Sequence, residues 1–324
     1  MRVAVAALLF SACDSSEAPD PSWTLVLEDV PGSVLSCWEA GRDDVTFVGS
    51  GGLYLHWDGE AFTMRDSGTD EWLWWTWGCA PDDAWAVGAG GTALRLLDGG
   101  SEPVPTGTEA TLFGVWGPSC DDVWVVGGDP SGPTTDVVLR DRGTGLLAAG
   151  PPPRNVALFK VWGSSGEDVF VVGDGGVAWR WDGSDWTLQE TGCKSRLFTV
   201  HGGGPDDVIA VGQFCAIAYD GSAWGPIVGL DIQGRQANGV YVAPDGQAAI
   251  VGFGSLKARR LADGSWLNDS SLDPIGIDFH AACGDGEGGF FAVGGNFASA
   301  ASEQRGVIAH FGSSHPAARA ASTR

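Results

Sequence analysis

A short motif returns along this chain at nearly fixed intervals, and it limits the possible folds more than any other feature. Leu112-Phe113-Gly114-Val115-Trp116-Gly117 is echoed by Leu158-Phe159-Lys160-Val161-Trp162-Gly163. Asp122-Val123-Trp124-Val125-Val126-Gly127 is echoed by Asp168-Val169-Phe170-Val171-Val172-Gly173. A third piece recurs as His56-Trp57-Asp58-Gly59 and Arg180-Trp181-Asp182-Gly183. The glycine that closes the second piece falls at Gly49, Gly88, Gly127, Gly173, Gly212, Gly252 and Gly294, at spacings of 39, 39, 46, 39, 40 and 42 residues, which defines seven units. A unit of this size cannot cover its own apolar faces, so it must stack on its neighbours.

Each unit reads as four short strands. The first ends in Val-Trp-Gly and is followed by a turn carrying a carboxylate pair. The second is the Val-Trp-Val-Val-Gly run, apolar enough to be buried on both faces. The third ends in Trp-Asp-Gly, where the glycine supplies the positive φ of a tight hairpin turn. The fourth carries Trp186-Thr187-Leu188 or its equivalents at Trp224 and Trp266. Four strands at a period near forty predict an all-β, seven-bladed β-propeller of four-stranded blades. The last unit stops after a third strand, Val307 to Phe311, and the missing fourth appears at the other end as Trp23-Thr24-Leu25. An N-terminal strand is therefore expected to complete the seventh blade and remove the free sheet edge. The domain boundaries that follow are a leader over 1–12, a polar tether over 13–21, the propeller over 22–312 and a disordered tail over 313–324.

Over residues 22–312 the chain resembles secreted bacterial β-propeller repeat proteins built on Val-Trp-Gly, Asp-Val-Trp-Ala-Val-Gly and Trp-Asp-Gly. More distantly it is similar to tectonin and Asp-box propellers. Asp182 and Gly183 are adjacent, whereas the Asp-box separates its Asp and Gly, so sialidase chemistry is not carried over. At the N-terminus, Met1-Arg2 precedes the apolar run Val3 to Phe10, too short for a permanent membrane span and read as a secretory leader. Phe10-Ser11-Ala12-Cys13 resembles the lipobox of bacterial lipoproteins. That resemblance implies cleavage before Cys13, acyl chains carried on Cys13, and a membrane anchor in the bacterial cell envelope, at the outer membrane, in the periplasm or on the surface.

Export bears on the cysteines. Six remain beyond Cys13, an even number that suggests disulfides. Cys193 and Cys215 belong to the same face of blade five. Cys79 and Cys120 fall in the carboxylate turns of adjacent blades. Cys37 and Cys283 sit one register apart on the innermost strands of blades one and seven, which must approach closely for a bond of fixed geometry. No Cys-x-x-Cys occurs and the five histidines are scattered, so neither a metal site nor a cofactor is expected. With 18 basic against 41 acidic residues the formal charge is −23, which argues against nucleic acid as a partner.

Most of the 16 tryptophans share registers and are expected to pack blade against blade. Trp72 and Trp75 do not. Other units place Thr111, Ala157 or Arg196 at the first of these positions and Gly114, Lys160 or Thr199 at the second, so both are expected to face solvent. There they would stack on a sugar ring or a partner side chain, or fill a local groove. The pairs Asp43-Asp44, Asp82-Asp83, Asp121-Asp122 and Asp206-Asp207, with Glu167-Asp168, repeat at one position and read as turns, not as acid–base machinery. They and the Asp-Gly turns gather on one acidic face. The opposite face carries the second-to-third turns and the links between blades, where binding is expected. Candidate ligand-binding residues on or near it are Trp72, Trp75, Lys160, Arg196 and His201; His201 replaces the repeat tryptophan in blade five, and His280 lies close by. No catalytic or phosphate-binding motif is present. The function expected is a monomeric, non-enzymatic binding or scaffold module for a protein or glycan. The alternative is a carbohydrate-active enzyme on the same scaffold, which would need a central cluster of unlike titratable groups.

Overall fold

The computed structural model describes residues 20–97, 100–129, 136–232, 234–297, 299–313 and 316. The leader, Cys13, most of the tether, the blade-three loop 130–135 and most of the tail lie outside them. Seven four-stranded antiparallel sheets form the molecule. Blade one runs through Val34–Gly41, Asp44–Gly49, Tyr54–Trp57 and Phe62–Met64 from the centre outward. Blade seven takes three strands from the C-terminus, Phe279–Gly284, Phe290–Gly295 and Arg305–Gly312, and its outermost from Ser22–Pro31. Trp23 pairs with Phe311 across that seam. The N-terminal strand closes the ring as the repeat predicts.

The motif glycines have steric causes. At each of the seven closing positions a Cβ would lie 1.9–2.4 Å from the carbonyl oxygen of the residue preceding the blade's innermost strand. The amide after each glycine donates to that same carbonyl at 2.9–3.0 Å. The chain can make this crossing only where no side chain intervenes. The glycine of Val-Trp-Gly has a different task. A Cβ on Gly78, Gly117, Gly163 or Gly202 would meet the indole of Trp38, Trp77, Trp116 or Trp162, the repeat tryptophan of the preceding blade, at 2.4–3.0 Å. Each glycine is thus the socket for a neighbouring ring, and the motif encodes blade-to-blade packing. Blade five shows the exception. Its ring is the smaller His201, and the next blade fills the socket with Val242, whose amide donates to His201 Nδ1 at 3.1 Å.

The carboxylate turns are structural as well. In blades two, three and four the second member of the pair holds an arginine of the third strand: Arg95 to Asp83 at 2.5 Å, Arg140 to Asp122 at 2.6 Å and Arg180 to Asp168 at 2.7 Å; in blade one Asp44 faces His56 at 3.7 Å. Blade six lacks the pair, and its Arg260 reaches across to Asp207 of blade five at 2.6 Å. The Asp-Gly turns lie beside these, since Gly59, Gly183 and Gly221 come within 3.0 Å, measured from a notional Cβ, of Asp43, Glu167 and Asp206. Both turn types therefore share the acidic face.

All three expected disulfides are present, with Cα–Cα separations of 5.9 Å for Cys37–Cys283, 5.2 Å for Cys79–Cys120 and 6.2 Å for Cys193–Cys215. The bond between innermost strands is possible because blades splay outward from the axis, so their inner edges are where they come closest. Three disulfides mark an oxidising compartment. No helix among the described residues is long and apolar enough to cross a membrane.

Candidate functional site

Each innermost strand carries a β-bulge at its second residue, visible as a register shift in all seven first-to-second strand pairings. A bulge re-aims the extra side chain out of the blade. The seven bulged residues are Leu35, Trp74, Phe113, Phe159, Phe198, Asn238 and His280, and all of them line one cavity of about 390 Å³ at the centre of the loop face. The rings form an unbroken chain around it. Phe198, Phe159, Phe113 and Trp74 follow one another at centroid distances of 5.8, 5.3 and 5.5 Å. His280 continues at 5.8 Å from Trp74, then Phe297 at 5.7 Å and Phe253 at 5.9 Å, the last two from second-to-third turns. The result is an aromatic bowl, and the recurring Leu-Phe/Trp step in the sequence was its visible signal.

Lys160 forms the floor. Its ammonium donates to the Phe113 carbonyl at 2.9 Å and lies 3.3 Å from the centroid of the Trp75 ring. Trp75 comes from blade two and Lys160 from blade four, and they meet past blade three because that blade has Gly114 at the same level. Trp75 is thus turned into the channel, half-buried and packed against two blade cores, and does not face solvent as its position suggested. Side chains at this level of a propeller point down the axis, where the partner that covers them lies two blades away. Trp72 lies at the rim, its ring 5.4 Å from Trp74. Arg196 also stands at the rim, paired with Asp174 at 3.2 Å.

Below Lys160 lies a second chamber of about 240 Å³, lined by the repeat tryptophans together with His201, Tyr241 and Glu39. His201 packs its ring against Trp162 and Tyr241, and burial pushes its pKa down to about 4. Burial likewise lowers His280 to about 4, with Lys160 adding to the effect. Its Nδ1 lies 2.5 Å from the Leu35 carbonyl, so that nitrogen carries the proton. Lys160 is held well below its ordinary value by burial. Glu39, which no motif in the sequence singles out, lines the same chamber. Burial pushes its carboxyl up to about 7, against a hydrogen bond from Tyr241 that lowers it.

Glu39 makes stability depend on pH. Its folded pKa exceeds the unfolded one, so its contribution is complete below about pH 4.5 and is lost as pH rises through about 7. Glu39→Gln retains an acceptor for Tyr241 without the charge. The variant is expected to match the wild type at pH 4 and to exceed it by roughly 3 kcal/mol at pH 9. Denaturant unfolding at the two pH values measures the difference, and parallel curves would contradict the assignment.

No protein-family model and no curated protein matches the chain. Solved structures match its fold. YCF48 from Cyanidioschyzon merolae aligns with a TM-score of 0.65 at 15% identity, covering 89% of this chain and 98% of that one. YCF48 bound to D1 peptide aligns with a TM-score of 0.66 at 13% identity, covering 89% and 96%. A catalytically inactive virginiamycin B lyase from Staphylococcus aureus, with quinupristin, aligns with a TM-score of 0.71 at 11% identity, covering 89% and 99%. At these identities the likeness is one of fold, and the neighbours include both an enzyme and a peptide-binding protein.

Proposed function

We propose that the chain is a non-enzymatic binding module, lipid-anchored in the cell envelope through Cys13, and that it takes an apolar segment of a protein partner into the aromatic bowl. The observation that carries this reading is the bulge ring, which aims four large aromatic rings from four successive blades into one open cavity. A sugar site needs free polar groups to meet hydroxyls around an aromatic platform. Here both wall amides make bonds within the protein: Gln236 donates to Asn238 at 2.8 Å, and Asn238 donates to the Phe279 carbonyl at 2.9 Å. The side-chain hydroxyl of Thr199 is spent on the Asn238 carbonyl at 2.5 Å. A peptide-bound propeller among the structural neighbours supports protein binding in general.

Phage-displayed random peptides panned on the folded chain are expected to share a large apolar or aromatic residue. Their binding should fall at least tenfold in Phe113→Ala/Phe198→Ala. No enrichment, or enrichment that survives the double substitution, would overturn the reading. Ring-dependent binding on a glycan array instead would replace the peptide with a sugar. The enzymatic alternative finds its one support in Glu39, whose carboxyl is poised near neutrality in the chamber beneath Lys160. It predicts turnover of a saccharide that Glu39→Gln abolishes.

A further inference from the structure

We propose that the ligand of the bowl carries a carboxylate on its apolar body, and that Lys160 is the group that receives it. This rests on the reading of the bowl as a binding site and specifies the chemistry of what enters.

Lys160 is 5% exposed. Its ammonium offers three donors, and one is taken, by the Phe113 carbonyl. The face of Trp75 supplies a favourable but weak cation–π contact. Among the described residues no carboxylate pairs with it, although the chain holds a large excess of acids. The contrast with the repeat's other cations is plain: Arg95, Arg140, Arg180 and Arg260 each have an aspartate within 2.7 Å.

A buried ammonium without a counter-ion is costly, and an anion delivered from outside offsets that cost. The delivery route is the bowl, because Lys160 lines both cavities and forms the floor of the open one. The bowl contributes no competing acid: the titratable groups lining it are Lys160, Arg196 and the neutral His280. The turns rich in aspartate lie on the opposite face, where solvent screens them from the mouth. A volume of about 390 Å³ falls at the small end of ligand sites, enough for an aromatic or branched body with one acidic group. Two sources share this chemistry, a free aromatic acid and the C-terminus of a peptide ending in an apolar residue.

The test compares acid with amide on the intact chain by calorimetry. The probes are 3-phenylpropionate against 3-phenylpropionamide, and N-acetyl-Ala-Phe against its C-terminal amide. In the wild type at least one acid is expected to bind ten times or more tighter than its amide, and the pair that shows this identifies the source. Lys160→Met should lose the preference, binding acid and amide alike, with Lys160→Gln as a second variant if the first is poorly folded by circular dichroism. Equal binding of acid and amide by the wild type, or a preference that survives both substitutions, would overturn the proposal and leave the bowl as an apolar site. If the wild type binds neither acid nor amide, both this inference and the proposed function fall.

Discussion

A chain shortened to begin at Gly32 is expected not to fold as a monomer. The lost segment, Ser22–Pro31, is the outer strand of blade seven, and its removal leaves Arg305–Gly312 as a bare sheet edge. Three buried side chains go with it: Trp23 at 7%, Val26 at 2% and Val30 at 4% exposure. At about 2–3 kcal/mol each, their burial amounts to roughly 6–9 kcal/mol, comparable with the whole stability of an ordinary domain. The Trp23 indole also donates to Asp269 at 2.9 Å, and Asp269 pairs with Arg259 of blade six, so the strand ties two blades together. Size-exclusion chromatography should show the truncated chain eluting as aggregate, because an exposed edge recruits other edges. A synthetic Ser22–Pro31 peptide added during refolding should restore part of the monomer by adding the strand back. A truncated chain that is monomeric, with an unchanged melting temperature, would show that the seam is dispensable.

The second large effect concerns the other seam of the same junction. Cys37–Cys283 links blade one to blade seven across 246 residues, whereas Cys79–Cys120 spans 41 and Cys193–Cys215 spans 22. A cross-link restricts the unfolded chain more as its loop lengthens. The chain-entropy relation gives roughly 5.5 kcal/mol for the first bond against roughly 3.5 kcal/mol for the last. Cys37→Ala/Cys283→Ala should therefore cost the most of the three double substitutions, as read from denaturant midpoints. Alanine is the right replacement, since both cysteines are buried and a serine hydroxyl would lack a partner. An equal loss for all three pairs would locate the stabilisation in local contacts.

The architecture was legible because it is periodic and its causes are local. The closing glycines recur because each blade repeats one backbone crossing, and the Val-Trp-Gly pair recurs because each indole needs a glycine one blade on. The substitution of His201 for tryptophan was legible, but its coupling to Val242 in the next blade emerged only from the structure. The disulfide partners followed from the same bookkeeping of faces and registers, once the ring was closed.

The site was legible only in part. Lys160, Arg196 and Trp72 meet at the bowl, but Trp75 takes its place from a lysine two blades away, a relation that no motif records. The bulges were hidden for a similar reason. One extra residue per strand does not disturb a forty-residue period, yet it decides whether Phe113 or Phe159 enters a blade or the channel. Glu39 looked like any polar residue near a turn until Tyr241 and the chamber walls surrounded it. The number of blades, the seam that closes them and the packing between neighbours can be read along the chain, because those depend on pattern. What fills the channel, and how its acids and bases are tuned, is settled only once the blades have assembled. Side chains from seven different blades converge there, and the desolvation that shifts a charge exists only after they have met.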